Sequence, residues 1–291
     1  MSDLTHNSPT PPLLASTSRR RKQTLSLSLM VALAMLAVIL LLIVVTPFLP
    51  VFDPVKQNLM HSLDPPFVTT KHVLGTDALG RDTLSRLSVA VRVSVLVSLG
   101  AVAISATVGL IIGLVTGWLG GATDGVLMAI GNIQLAVPVV LLLIVLVAVL
   151  GSSPVLLVVL LGLTNWVSYG RVVRAQVVSL KEREFITAVT TAGGSGFWIM
   201  RKHLLPNVTP SVLVLAAFDV GVIITIESSL SFIGLGIQPP TPSLGLMIAE
   251  AQRYMQTNLS LTLFPALTIF LLIGGIQFAF LGLTSSPKRG R

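Results

Sequence analysis

Residues 125–170 read GVLMAIGNIQLAVPVVLLLIVLVAVLGSSPVLLVVLLGLTNWVSYG, 46 residues without one charge. As a single helix this stretch would be about 69 Å long at about 1.5 Å per residue, over twice a hydrocarbon core of about 30 Å. It therefore crosses an apolar layer twice. The turn falls at Gly151-Ser152-Ser153-Pro154, the one turn-like cluster inside the run, and Pro138 predicts a kink in the first crossing. The whole chain agrees: 53% of its 291 residues are hydrophobic and 10% are charged, against about 25% charged in soluble domains, and its mean hydropathy is +0.91. The reading is an all-α integral membrane protein.

Working outward, residues 93–123 give 31 uncharged residues, a second span with Trp118 near its end, where an interfacial aromatic belongs. Residues 25–45 give 21 more, after Arg19, Arg20, Arg21 and Lys22. That run ends in Val45-Thr46-Pro47-Phe48 without a small-x-small exit, so it reads as an uncleaved first span and not as a signal peptide. Downstream, apolar sequence returns at 212–234, interrupted by Asp219 and Glu227, and again at 258–283. The count is six transmembrane helices with both termini on one side. Lys and Arg set the orientation: the leader, the Arg171 to Lys202 stretch and the tail with Lys288, Arg289 and Arg291 hold most of them, whereas Lys56, Lys71, Arg81, Arg86, Arg92 and Arg253 lie on the other side. Both termini are expected in the cytoplasm. The net charge of +8 is thus a topology signal, and no nucleic-acid partner is expected.

Four segments exceed what lipid packing requires. Residues 1–18 are rich in Ser, Thr and Pro and are expected to be disordered. The external segment is too long for a simple connection; a helix starting at Thr76 or Asp77, with Leu84, Leu87 and Val91 on one face, is expected on the membrane surface. Within 171–207, a helix over 184–192 stops at Gly193-Gly194-Ser195-Gly196, and a second helical stretch runs from Phe197 to Leu205 and ends at Pro206. Ala188, Val189 and Ala192 give this projection a small apolar face. The fourth, 234–243, contains Pro239, Pro240 and Pro242 and cannot be helical; a short interfacial helix carrying Glu250 and Arg253 follows it.

Asp219 and Glu227, in the fifth span, stand about 12 Å apart along the axis and about 80° around it. A charge inside a membrane usually faces a passage or a polar partner, and both alternatives are open here: a translocation path or an interhelical contact. Other chemistry is excluded more firmly. There is no cysteine, no Gly-Lys dipeptide for a phosphate loop, and the four histidines lack metal-ligand spacing with a carboxylate. The chain is not an enzyme, holds no cofactor or metal, and cannot hydrolyse ATP by itself.

Three blocks carry a resemblance: Leu74-Gly75-Thr76-Asp77 with Gly80-Arg81-Asp82 and Ser85-Arg86; the segment ending at Gly193 with Leu205-Pro206-Asn207 after it; and Glu227 with Leu230-Ser231-Phe232, Gly234-Leu235-Gly236 and Gln238-Pro239-Pro240-Thr241-Pro242-Ser243. Together they resemble the C-type permease subunit of a bacterial oligopeptide or dipeptide ABC importer, over about residues 74–265. The resemblance implies the type I importer permease fold in the bacterial cytoplasmic membrane. Its plan is a tail over 1–24, a first span over 25–48, an external segment over 49–92, a permease core over 93–286 with five spans and the coupling segment 171–207, and a basic tail over 287–291. It further implies a second homologous permease subunit, one or two ABC ATPases that bind ATP and Mg, an external substrate-binding protein and a peptide substrate. Nickel or another small solute is the alternative cargo, and an ion-coupled carrier the more distant one.

The same resemblance assigns ATPase coupling to Glu184, Phe185, Ile186, Thr187, Ala188, Val189, Ala192, Gly193, Leu205 and Pro206. Where the family's motif reads Glu-Ala-Ala, this chain has Thr187-Ala188-Val189, with Glu184 one turn earlier. It has Leu244 where a Trp is usual, and Phe280, Leu281 and Gly282 in place of a charged cluster. Asp219 and Glu227 are expected on the translocation path. Asp77, Arg81, Asp82, Arg86, Gln238, Pro239, Glu250 and Arg253 are expected beneath the binding protein.

Overall fold

The computed structural model describes residues 27–284, so the tail with its Arg19 to Lys22 cluster and the basic stretch 287–291 lie outside the described residues. Regular structure in the described part is helical apart from one bridge between Thr76 and Asp82. The helices are α1 (Leu27–Val45), α2 (Thr83–Leu119), α3 (Gly121–Ala136), α4 (Val139–Leu150), α5 (Pro154–Lys181), α6 (Glu184–Thr191), α7 (Gly196–Ile199), α8 (Leu205–Phe232), α9 (Leu244–Ala251) and α10 (Ser260–Thr284). Five helical stretches among the described residues are long and apolar enough to cross a membrane, and α3 with α4 adds a sixth only as a pair bent by 87°.

Local chemistry sets these ends. Ser153 caps α5 by accepting from the Leu156 N–H at 3.1 Å, with Pro154 in the first turn, where its missing N–H costs nothing. Pro138 does more than kink its span. It pushes Val137 into extended backbone, as the residue before a proline tends to be, and the helix stops and restarts at Val139.

α2 and α5 pack most closely, through a stripe the sequence reading passed over. Ala101, Ser105, Gly109, Gly113 and Gly117 recur every fourth residue on one face of α2. A Cβ on Gly113 would lie 2.6 Å from the Val173 Cβ and 2.7 Å from the Gly170 carbonyl; one on Gly109 would lie 2.4 Å from the Tyr169 Cβ. Ser105 Oγ donates to the Gly162 carbonyl at 2.9 Å across the pair. In lipid, where apolar burial drives no association, such close backbone approach and interhelical hydrogen bonding hold helices together. α1 lies against α10 in the same way, with Met35 and Leu36 over Gly274 and Gly275.

Two expectations are corrected. No separate surface helix begins at Thr76 or Asp77: Gly80 has φ +70°, and the helix starts at Thr83 because Asp82 caps it, accepting from the Ser85 N–H at 2.8 Å. Residues 83–92 are the first turns of α2 itself, with Leu87 and Val91 buried in the bundle. The stretch from 197 does not end at Pro206 either. A π-helical turn over Met200–Leu204 joins α7 to α8, and this wider turn takes the chain past a residue with no N–H to give, so residues 196–232 form one 37-residue helix. α9 forms where a short helix is expected, with Leu244, Leu246, Met247 and Ala251 buried against the bundle, and it packs on α8 and α10.

Candidate functional site

At one end of the bundle α6 forms a short, tightly closed projection. It ends in a glycine C-cap: Gly193 takes φ +84°, its N–H reaches the Thr190 carbonyl, and the Gly194 N–H reaches the Val189 carbonyl at 3.0 Å. Ile186 turns inward against Ile199, Leu204 and Val208, and Val189 is half buried beside it. The opposite face, Glu184, Thr187, Ala188 and Thr191 at helical spacing, is exposed and borders a shallow concavity shared with Ala192. Phe185 is exposed, its ring 6.2 Å from that of His203, and the His203 ring lies 5.1 Å from that of Trp198. Leu205 is half buried and Pro206 exposed. The base is firm: Lys181 Nζ donates to the Trp118 carbonyl at 2.6 Å, Arg174 pairs with both oxygens of Asp124 at 2.5 and 2.6 Å, and Gly196 sits directly on the Trp118 indole.

At the other end, residues 77–86 and the last turn of α9 come together, as expected, but by ion pairs that use most of the expected contact residues. Arg81 binds Asp77 at 2.6 Å and Glu250 at 3.2 Å; Arg86 binds Asp77 and, at 2.7 Å, Glu250. Burial raises the Asp77 carboxyl, but the Arg86 charge, the Arg81 N–H and the Arg81 guanidinium outweigh it and hold that group below its usual range. Asp82 is buried, its second oxygen 3.0 Å from His72 Nδ1. Arg81, Asp82 and Arg86 are thus buried in internal pairs. Gln238, Pro239 and Arg253 are exposed, and Arg253 borders a cavity of about 380 Å³ together with Arg81, Arg86 and Glu250.

The two intramembrane carboxylates sit inside the bundle. Asp219 is 7% exposed and accepts from Asn165 Nδ2 at 2.9 Å, with the Tyr169 hydroxyl beside it, which ties α8 to α5. Glu227 is 0% exposed and accepts from Ser94 at 3.0 Å and Ser231 at 2.8 Å. Neither faces lipid, as expected. A carboxylate in low dielectric needs donors around it, and here hydroxyls and an amide supply them. Ser94, Asn165 and Tyr169 were invisible in the sequence because their partners lie on other helices. The small-residue stripe of α2, in contrast, was on view as a spacing of four.

Residues 109–286 match the family model described as binding-protein-dependent transport system inner membrane component. The chain is 36% identical over 242 residues to the oligopeptide transport system permease protein of Haemophilus influenzae, covering 82% of this chain and 76% of that protein. It is 33% identical over 234 residues to the dipeptide transport system permease protein of the same organism, covering 79% of each. To the nickel transport system permease protein of Escherichia coli strain K12 it is 36% identical over 201 residues, covering 69% of this chain and 73% of that one.

Proposed function

The chain belongs to the family of binding-protein-dependent transport system inner membrane components, and from that premise we propose that it is the membrane-spanning permease subunit of an ATP-driven importer for oligopeptides or dipeptides. It is a multi-pass membrane protein. The observation that carries the reading is the 36% identity, over most of both chains, to a permease named for oligopeptide transport. The geometry at α6 supports it, since a short helix with a buried root and an exposed face of Glu184, Thr187, Ala188 and Thr191 suits a soluble partner that packs closely and pushes.

In this reading the α6 end faces the cytoplasm, with both termini on that side and six spans once the bent α3–α4 pair counts as one. Partner ATPases, fused or separate, seat on α6 and supply ATP hydrolysis. A second permease of similar fold completes the passage, and an external binding protein delivers peptide at the α9 end. Glu184 lies on the same exposed face as Thr187 and takes the part of the absent acidic residue. Closure of the ATPases on ATP draws the α6 helices together and opens the cavity outward, a rigid-body switch between two packings.

Co-expression with the second permease, the ATPases and the binding protein tests this. A stoichiometric complex whose ATP hydrolysis rises when the binding protein is loaded with peptide is the expected result. A rise with nickel and none with any peptide would favour the reading suggested by the nickel permease.

A further inference from the structure

Glu227 gathers hydroxyls from separate parts of the chain. Ser94 comes from α2 at 3.0 Å, Ser231 from the next turn of α8 at 2.8 Å, and Ser228 stands at 3.5 Å; Ser243, the N-cap of α9, closes the ring. Ser231 Oγ in turn accepts the Ile237 N–H at 3.2 Å, so the hairpin between α8 and α9 hangs on the same cage. The hairpin lies so close that a Cβ on Gly236 would be 2.0 Å from Ser231 Oγ, and one on Gly245 would be 2.0 Å from the Ser228 carbonyl. α9 then reaches the external segment through Glu250 with Arg81 and Arg86. One carboxylate thus joins α2, the hairpin and α9 to the outer end of α8.

The inner end of that helix is equally committed. Residues 196–232 run without a break, a rod of about 55 Å at about 1.5 Å per residue, and its inner turns, with Ile199 and Leu204, bury Ile186 of α6. Mere interhelical glue would need one partner helix, as Asp219 has in α5. A carboxylate differs from an apolar side chain in accepting several hydroxyl hydrogen bonds at once, each strengthened by its charge. The geometry points to Glu227 as a positioning residue: it clamps the hairpin and α9 onto the outer end of the 196–232 helix, so that α6 and the external surface move as two ends of one rod. This rests on the permease reading for its purpose, though the clamp itself does not.

The experiment uses the assembled complex in nanodiscs and three variants, Glu227→Leu, Ser94→Ala and Glu227→Gln. Two readouts are taken: amide hydrogen exchange over 235–247, and the ratio of ATP hydrolysis with peptide-loaded binding protein to that without it. Leucine leaves the cage hydroxyls without their acceptor, so exchange over the hairpin rises at least tenfold and the ratio falls at least fivefold. Ser94→Ala removes one bond and produces about a threefold change in each. Glutamine, which still fits between hydroxyls that can donate or accept, stays within twofold of the native chain. Were the Leu variant not to assemble, Ser94→Ala decides alone. Native exchange over the hairpin in an assembled Glu227→Leu or Ser94→Ala variant overturns the clamp, and a native ratio with a loosened hairpin overturns the rod. If the native complex itself shows no response to loaded binding protein, the permease reading fails, whereas hairpin exchange still reports on the clamp.

Discussion

A Cβ at Gly193 would meet nothing within 4 Å, yet the backbone there has φ +84°. A side chain in that region costs about 1–2 kcal/mol, and a β-branched one is a marked outlier. Gly193→Val should therefore deform the turn behind α6 without disturbing any span. The complex should assemble, while its ATP hydrolysis stops responding to loaded binding protein; peptide import at the native rate would reduce α6 to a plain loop. Gly113 is needed for the opposite reason. Its backbone is ordinary helix, but Val173 and Gly170 already occupy the space a side chain would take. Gly113→Leu must force α2 and α5 apart, an overpacking cost of about 1–3 kcal/mol or more, and size-exclusion recovery in mild detergent should fall sharply. Gly125→Leu, where nothing stands within 4 Å, should be recovered normally.

Among the elements, the ion network that joins Asp77, Arg81 and Arg86 to Glu250 of α9 has a defined pH response. Asp77 is held below its ordinary value in the folded chain, so its contribution is fully present above the unfolded value of about 3.9 and is lost as pH falls through the lower folded one. Acidification should leave the network intact down to about pH 4 and loosen it below that, read as faster hydrogen exchange over residues 76–86. Asp77→Asn should already show the faster exchange at neutral pH and respond less to acid. This network also marks the limit of sequence reading. Spans are legible because lipid demands long uncharged runs, and α6 is legible because a glycine cluster follows it. The start of α2 is not, since Thr76, Asp77 and Asp82 all look like caps and only the left-handed backbone of Gly80 decides among them. Likewise Arg81 and Arg86 read as surface charges until Glu250, far along the chain, is brought beside them. Pro206 reads as a stop because a π turn has no sequence mark.

Over the whole molecule, two ends of unlike character are joined by continuous helices: a cation-rich end with α6, Arg174 and Lys181, and an end where most charges are paired and Gln238, Pro239, Gln252 and Arg253 stay open. Absence of native cysteine makes the second easy to map. A photo-crosslinker on Gln252→Cys should capture the binding protein in the assembled complex, and more so when peptide is bound, while the same label on Thr187→Cys should capture an ATPase instead. Exchange of these two products would invert the proposed orientation. The central claim, that ATP hydrolysis on α6 drives peptide inward through this chain and its partner, is tested most directly by uptake into proteoliposomes holding the full complex, with labelled peptide and binding protein outside and ATP within. The account predicts uptake that requires ATP, binding protein and native Gly193, and that persists when a proton uncoupler is added. Uptake that follows the proton gradient and continues without ATP or the ATPases would contradict it.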